Sequence, residues 1–120
     1  MRRGKIQASI RRAGTKGVMK LKPGVKLKEL QPQTVVAMLV VESIYLAHDT
    51  EFVVTSCNDG KHKEDSFHYR GLAIDVRTRN YFEDKQALRD EIAQALGEEF
   101  DVILESVGTE SEHIHIEYDV

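Results

Sequence analysis

The chain of 120 residues has one cysteine, two prolines and no tryptophan. A single thiol, Cys57, rules out an internal disulfide and with it the disulfide-stapled secreted scaffolds. Cys57 also lacks the flanking residues of a cysteine-peptidase nucleophile, so it reads as a structural residue at a strand end rather than as a catalytic one. No apolar run approaches the roughly 20 residues that cross a bilayer. The longest, Val35 to Val41, ends at Glu42 and Ser43. The arginines near the start are not followed by an apolar signal-peptide region, because Ser9, Arg11, Arg12 and Lys16 stand there. A protein without a membrane span, cytoplasmic in the cell that makes it, is therefore expected. No repeat, low-complexity block or Ser-rich linker divides the chain, and 41% apolar residues are enough for one core.

Acid is scarce at the start. Residues 1–30 hold ten Lys or Arg against the single acid Glu29, and the remaining ninety hold seven against nineteen. This predicts a basic arm over residues 1–20 ahead of one domain over residues 21–120. Such an arm attracts polyanions by releasing counterions, an anionic wall polymer among them, unless it is simply solvated. It has no aromatic side chain to stack on bases, which argues against nucleic acid.

Periodicity supplies the elements. Met19 to Leu30, around Pro23-Gly24, reads as a short hairpin or an extended lead-in. Pro32 to about Ala47 has helical spacing through Val35, Met38, Leu39, Val41, Tyr45 and Leu46, with proline suited to a first turn, and predicts a largely buried helix. Phe52 to Val54 reads as a strand leading into a polar loop from Ser56 to Asp65. Leu72, Ile74 and Val76 alternate with Ala73, Asp75 and Arg77 as in a half-buried strand. Asp84 to Leu96 carries Leu88, Ile92, Ala95 and Leu96 on one helical stripe before Gly97. Val102 to Leu104 and His113 to Tyr118 complete the strands. The expected fold is α+β, a mainly antiparallel four-stranded sheet with helices packed on one face and a zinc site on the other.

Four of the five histidines lie between positions 62 and 115, three of them within two residues of a carboxylate. A hydrolytic zinc site needs three imidazole or carboxylate ligands, one open position and a nearby base. His68, Asp75 and a histidine of the last strand meet the first need, and Glu112 the last. His113 and His115 share a strand face, so spacing leaves both open as ligands. Glu112 has the opposite parity and reaches that face only if the strand begins irregularly.

The stretch Ser66-Phe67-His68-Tyr69-Arg70-Gly71-Leu72-Ala73-Ile74-Asp75 fits an S-x-H-x-x-G-x-A-x-D pattern at every fixed position, and Glu112-His113-Ile114-His115 supplies an E-x-x-H. In these motifs the chain resembles the D-alanyl-D-alanine carboxypeptidase and L-alanyl-D-glutamate endopeptidase family of zinc metallopeptidases, of the fold group shared with lysostaphin and hedgehog, from roughly Pro23 to Val120. The resemblance implies His68, Asp75 and His115 as zinc ligands and Glu112 as general base. The activity it implies is hydrolysis of D-amino-acid-containing peptide bonds of bacterial peptidoglycan by metal-activated water. Many relatives carry an arginine soon after the Thr55-Ser56 strand end, where this chain has Cys57-Asn58, so the oxyanion role is left unassigned, with His62 ahead of Arg70 as candidates. Ser66, Arg70 and His113 are the expected substrate contacts, and Ile114 replaces the aromatic residue usual before the last ligand. A monomeric phage-type lysin or virion component fits these features. The alternatives are a D,D-dipeptidase or carboxypeptidase acting on small cytoplasmic substrates and a non-catalytic, zinc-stabilised binding module.

Overall fold

The computed structural model describes residues 19–27, 30–57 and 72–119. Residues 1–18 of the basic arm lie outside that range, as do His62, Ser66, His68 and Arg70. Seven elements follow one another: β1 (Lys20–Leu21), α1 (Pro32–Ala47), β2 (Val53–Ser56), β3 (Ala73–Arg77), α2 (Lys85–Leu96), β4 (Phe100–Glu105) and β5 (His113–Tyr118). The sheet runs β1-β2-β3-β5-β4. It has five strands rather than four and is mixed, because β1 pairs with β2 in parallel while the other three pairings are antiparallel. Two residues, Lys20 and Leu21, form that extra strand, too short for any periodicity to show. The chain then turns at Pro23-Gly24, where the Val25 N–H donates to the Lys22 carbonyl at 3.0 Å. Gly24, at φ 92°, takes the left-handed position that a type II turn requires after proline.

Strand alternation divides the sheet into two faces. Val54, Ile74, Val76, Val102, Ile114 and Ile116 all join one buried cluster with Ala37, Met38, Val41, Ile44 and Tyr45 of α1 and Leu88 and Ile92 of α2. Both helices thus cover the same face, as expected. Leu88 and Ile92 sit one turn apart on α2, so both side chains meet the sheet. Truncating either fully buried side chain to alanine would cost about 2–5 kcal/mol, since the cavity left behind cannot collapse completely. Asp84 caps α2 by accepting from the Ala87 N–H at 3.1 Å. Gly97 ends it at φ 91° and ψ −178°, a conformation open to little but glycine.

Helix α1 departs from the face assigned by spacing. Its buried residues are Thr34, Ala37, Met38, Val41, Ile44 and Tyr45, whereas Val35, Val36 and Leu39 are exposed. The segment is apolar nearly all round, so its own periodicity does not select the inward side. Cys57, at the end of β2, is fully buried, in keeping with a structural role. Among the described residues, no helix is long and apolar enough to cross a membrane.

Candidate metal centre

On the face turned away from the helices, β3 and β5 pair residue for residue. Asp75 lies opposite His115 and Arg77 opposite His113. The neighbouring register sets Ile103 of β4 opposite His115 and Asp101 opposite Glu117. Asp75, His113, His115 and Glu117 are therefore gathered by strand parity together with the β3–β5 register.

His115 is the centre of this group. Its Nδ1 lies 2.8 Å from Asp75 Oδ1 and its Nε2 2.9 Å from Glu117 Oε1. Both nitrogens face carboxylates, which only accept, so both bonds form together only in the imidazolium. Burial pulls the His115 pKa down, but the hydrogen bonds and charges of Asp75 and Glu117 outweigh it and raise it to about 9. The ring is therefore a cation near neutral pH.

Asp75 and His115 supply two donor atoms of the kinds that zinc accepts. One imidazole nitrogen and one carboxylate oxygen already face each other, and ligands bonded to a single tetrahedral zinc at about 2.1 Å stand roughly 3.4 Å apart. Opening the 2.8 Å Asp75–His115 contact by about 0.6 Å would meet that spacing. Glu117 on the far nitrogen would then fix ring orientation and tautomer, as carboxylates commonly do behind metal-bound histidines. Glu117 has the same strand parity as His113 and His115, though no motif singles it out. The third ligand that the resemblance implies, His68, lies outside the described residues.

His113 has separate partners. Its Nδ1 is 2.7 Å from the Ser111 carbonyl and its Nε2 2.9 Å from Glu105 Oε1, with Asp75 Oδ1 farther off at 3.8 Å. Nearer to Asp75 and backed by a second carboxylate, His115 is the better-placed ligand of the two.

Glu112 lies on the other side of the sheet. It shares parity with the buried Ile114 and Ile116 and is itself only 4% exposed. Its Oε1 accepts from Thr78 Oγ1 at 2.7 Å and from Lys85 Nζ at 2.6 Å, and its Oε2 from the Gly108 N–H at 3.0 Å. Burial pushes its pKa up. Hydrogen bonds from Lys85, Thr78 and Gly108, and the Lys85 charge, more than reverse this and hold the carboxyl below its ordinary range. β5 starts regularly at His113, so nothing turns Glu112 toward Asp75 and His115.

A further group escaped sequence reasoning. Asp101, Glu117 and Asp119 offer carboxylate oxygens that all lie within 4.8 Å of one another, and the three could share a metal ion. Among the described residues no other group of three or more such side chains is that close. Asp101 and Asp119 are eighteen positions apart and meet only through β4–β5 pairing, so no local pattern announces them. An all-oxygen set of this kind favours hard cations over zinc. The Asp101 pKa is raised, first by its hydrogen bond with Asp119, then by partial burial and by the Asp119 and Glu117 charges.

Comparison of the chain with models of known families, with curated proteins and with solved structures yields no match.

Proposed function

We propose that this protein is a zinc-dependent peptidase acting on D-amino-acid-containing peptides of bacterial cell walls, with Asp75, His115 and His68 as metal ligands. The observation that carries the reading is the Asp75–His115 pair at 2.8 Å, backed by Glu117 at 2.9 Å, on the sheet face turned away from the helices. The two local motifs support the same residues. Zinc bound there would activate water and polarise the peptide carbonyl. The chain's own contributions are specific. Asp75 neutralises part of the cation's charge, His115 gives up its proton to become a neutral ligand, and Glu117 holds the ring by its far nitrogen.

In this reading Glu112 is the general base on the strength of its motif. To act there, its carboxylate must leave Lys85, Thr78 and Gly108, and its low pKa makes it a weak proton acceptor near neutrality. The same contacts favour a second reading, in which the metal stabilises a binding module that performs no hydrolysis. Digestion of purified peptidoglycan, followed by mass spectrometry of the released muropeptides with and without a chelator, separates the two. New peptide termini that vanish with chelator and in Asp75→Ala support the enzyme. Stoichiometric zinc without any new terminus favours the module. Less than half an equivalent of zinc, unchanged in His68→Ala and His115→Ala, removes the site from both readings.

A further inference from the structure

The loop between α1 and β2 and the loop between β3 and α2 enclose a cleft of about 650 Å³ that the metal centre does not use. Asp49 and Glu51 come to it from the first loop and Glu83 from the second, and among the described residues its lining holds no lysine or arginine. His48 also borders it, but its Nε2 lies 2.7 Å from Glu91 Oε1, so that imidazole already has an acid of its own. Phe82 stands at the cleft with 89% of its surface exposed, beside the buried Tyr81.

Three carboxylates and an exposed aromatic ring draw the same kind of ligand. Carboxylates only accept hydrogen bonds, and the negative face of a phenyl ring attracts a cation as well. Glu83 is exposed and, among the described residues, no hydrogen bond or ion pair engages it. Such a cleft repels an anion, and a neutral group leaves its charge unmatched. Its volume of about 650 Å³ falls within the usual range of ligand sites, about 300–1,000 Å³, and has room for more than one lysine or arginine side chain.

The chain itself supplies cations at the right end of the sheet. β1 runs parallel to β2 and pairs Lys20 with Val53, so the start of β1 lies at the same end of the sheet as residues 48–51. The Lys20 N–H donates to the Phe52 carbonyl at 3.0 Å, and its Nζ reaches Glu51 Oε2 at 3.2 Å. One lysine therefore already neutralises an acid at the rim. Directly before Met19 in the sequence, residues 1–18 hold six Lys or Arg, among them Arg11, Arg12 and Lys16, and no acid. Three residues span at most about 10 Å and seven about 25 Å, which sets the reach of Lys16 and Arg12 from Met19. A segment tethered that close competes for the cleft at an effective concentration on the order of millimolar, which a free cation must exceed.

We propose that this cleft is a cation site whose occupant is the chain's own basic segment, through Arg11, Arg12 and Lys16. Neutralised in this way, the segment has less charge to offer an outside polyanion than its composition suggests. The proposal is independent of the metallopeptidase reading. Its test uses the full chain and follows the backbone amide signals of Phe82 and Glu83 by NMR. As NaCl rises from about 20 to about 500 mM these signals should move, because salt screens exposed charges, while that of Ile103 on β4 stays in place. The combined variant Arg11→Gln, Arg12→Gln and Lys16→Gln should show the high-salt positions already at low salt. Spermidine, titrated as a test cation and read at the same two signals, should bind that variant at least about fivefold more tightly than the parent, since the tethered competitor is gone. Adding Glu83→Gln to the variant should weaken spermidine several-fold, and an exposed side chain without a partner among the described residues can be changed without endangering the fold. Identical low-salt signals in parent and variant overturn the docking. Equal spermidine affinity in the two overturns the segment as occupant, and spermidine binding that ignores Glu83→Gln overturns the cleft as a cation site. Low-salt signals of the parent that revert to the variant's positions on about tenfold dilution assign the cations to a second copy and overturn the intramolecular occupant.

Discussion

Replacing Glu112 by alanine removes, at one stroke, the acceptor of three hydrogen bonds from Thr78, Lys85 and Gly108. Thr78 is fully buried, so its hydroxyl loses its partner without gaining water. Lys85 is only partly buried, at 26% side-chain exposure, and can swing toward solvent. Breaking a wholly buried ion pair costs about 3–5 kcal/mol. The escape of Lys85 brings the expected loss to the lower end, about 3 kcal/mol, in line with hydrogen bonds to a charged group at 1.5–3 kcal/mol each. For a chain of this length that is a fall in Tm on the order of 10 °C. Urea unfolding of the chelator-treated protein, followed by circular dichroism, measures it without reference to catalysis. Because the folded-state carboxyl lies below its ordinary range, its contribution is present above the unfolded-state pKa and lost as pH falls through the folded one. The gap between the variant and the parent should therefore narrow as pH falls below the ordinary glutamate range. A loss under about 1 kcal/mol at pH 7, or a gap that does not narrow as pH falls, would show that Glu112 is not an anchor and return it to the role of free base.

Other expectations follow from the same geometry. The His115 pKa is raised to about 9, so its charged contacts stabilise the metal-free protein fully below pH 6.5, and stability should decline as pH climbs through 9. A flat urea midpoint from pH 6.5 to 9.5 would contradict this. Under the proposed function zinc would have to displace that proton, so its apparent affinity, from chelator competition, should rise by about tenfold per pH unit from pH 6.5 until the curve flattens near 9, and a pH-independent affinity would exclude His115 as a ligand. Glu117→Gln should weaken zinc binding by about 10–100-fold through loss of ring orientation, and unchanged affinity would leave Glu117 without a place in the site. Asp84→Ala, which removes the α2 cap, should cost about 1 kcal/mol in urea unfolding without altering zinc content. A change in metal binding there would mean that α2 is coupled to the opposite face.

Much of the fold was legible because the relevant signals are local. The alternation of Ile74 and Val76 with Asp75, and of Ile114 and Ile116 with His113 and His115, fixes which side chains face the core before any partner strand is known. The 3.6-residue stripe of α2, with Asp84 at one end and Gly97 at the other, is likewise contained in a single segment. Helix α1 was less legible, since an all-round apolar segment has no preferred side until a sheet is laid against it.

The sequence by itself determined two helices, four of the strands and the shared face of Asp75, His113 and His115, because each depends on chain spacing alone. Tertiary structure decided everything that depends on register between distant segments. Direct pairing of β3 with β5 sets Asp75 against His115 rather than His113, and β4 beside β5 gathers Asp101, Glu117 and Asp119. The docking of α2 brings Lys85 to Glu112, and the two-residue β1 carries Lys22 to Arg77 and Arg79. A charge's partner is set by which strand or helix arrives next to it. Register is a property of the packed sheet, where a slip of one residue would turn every one of these side chains to the other face.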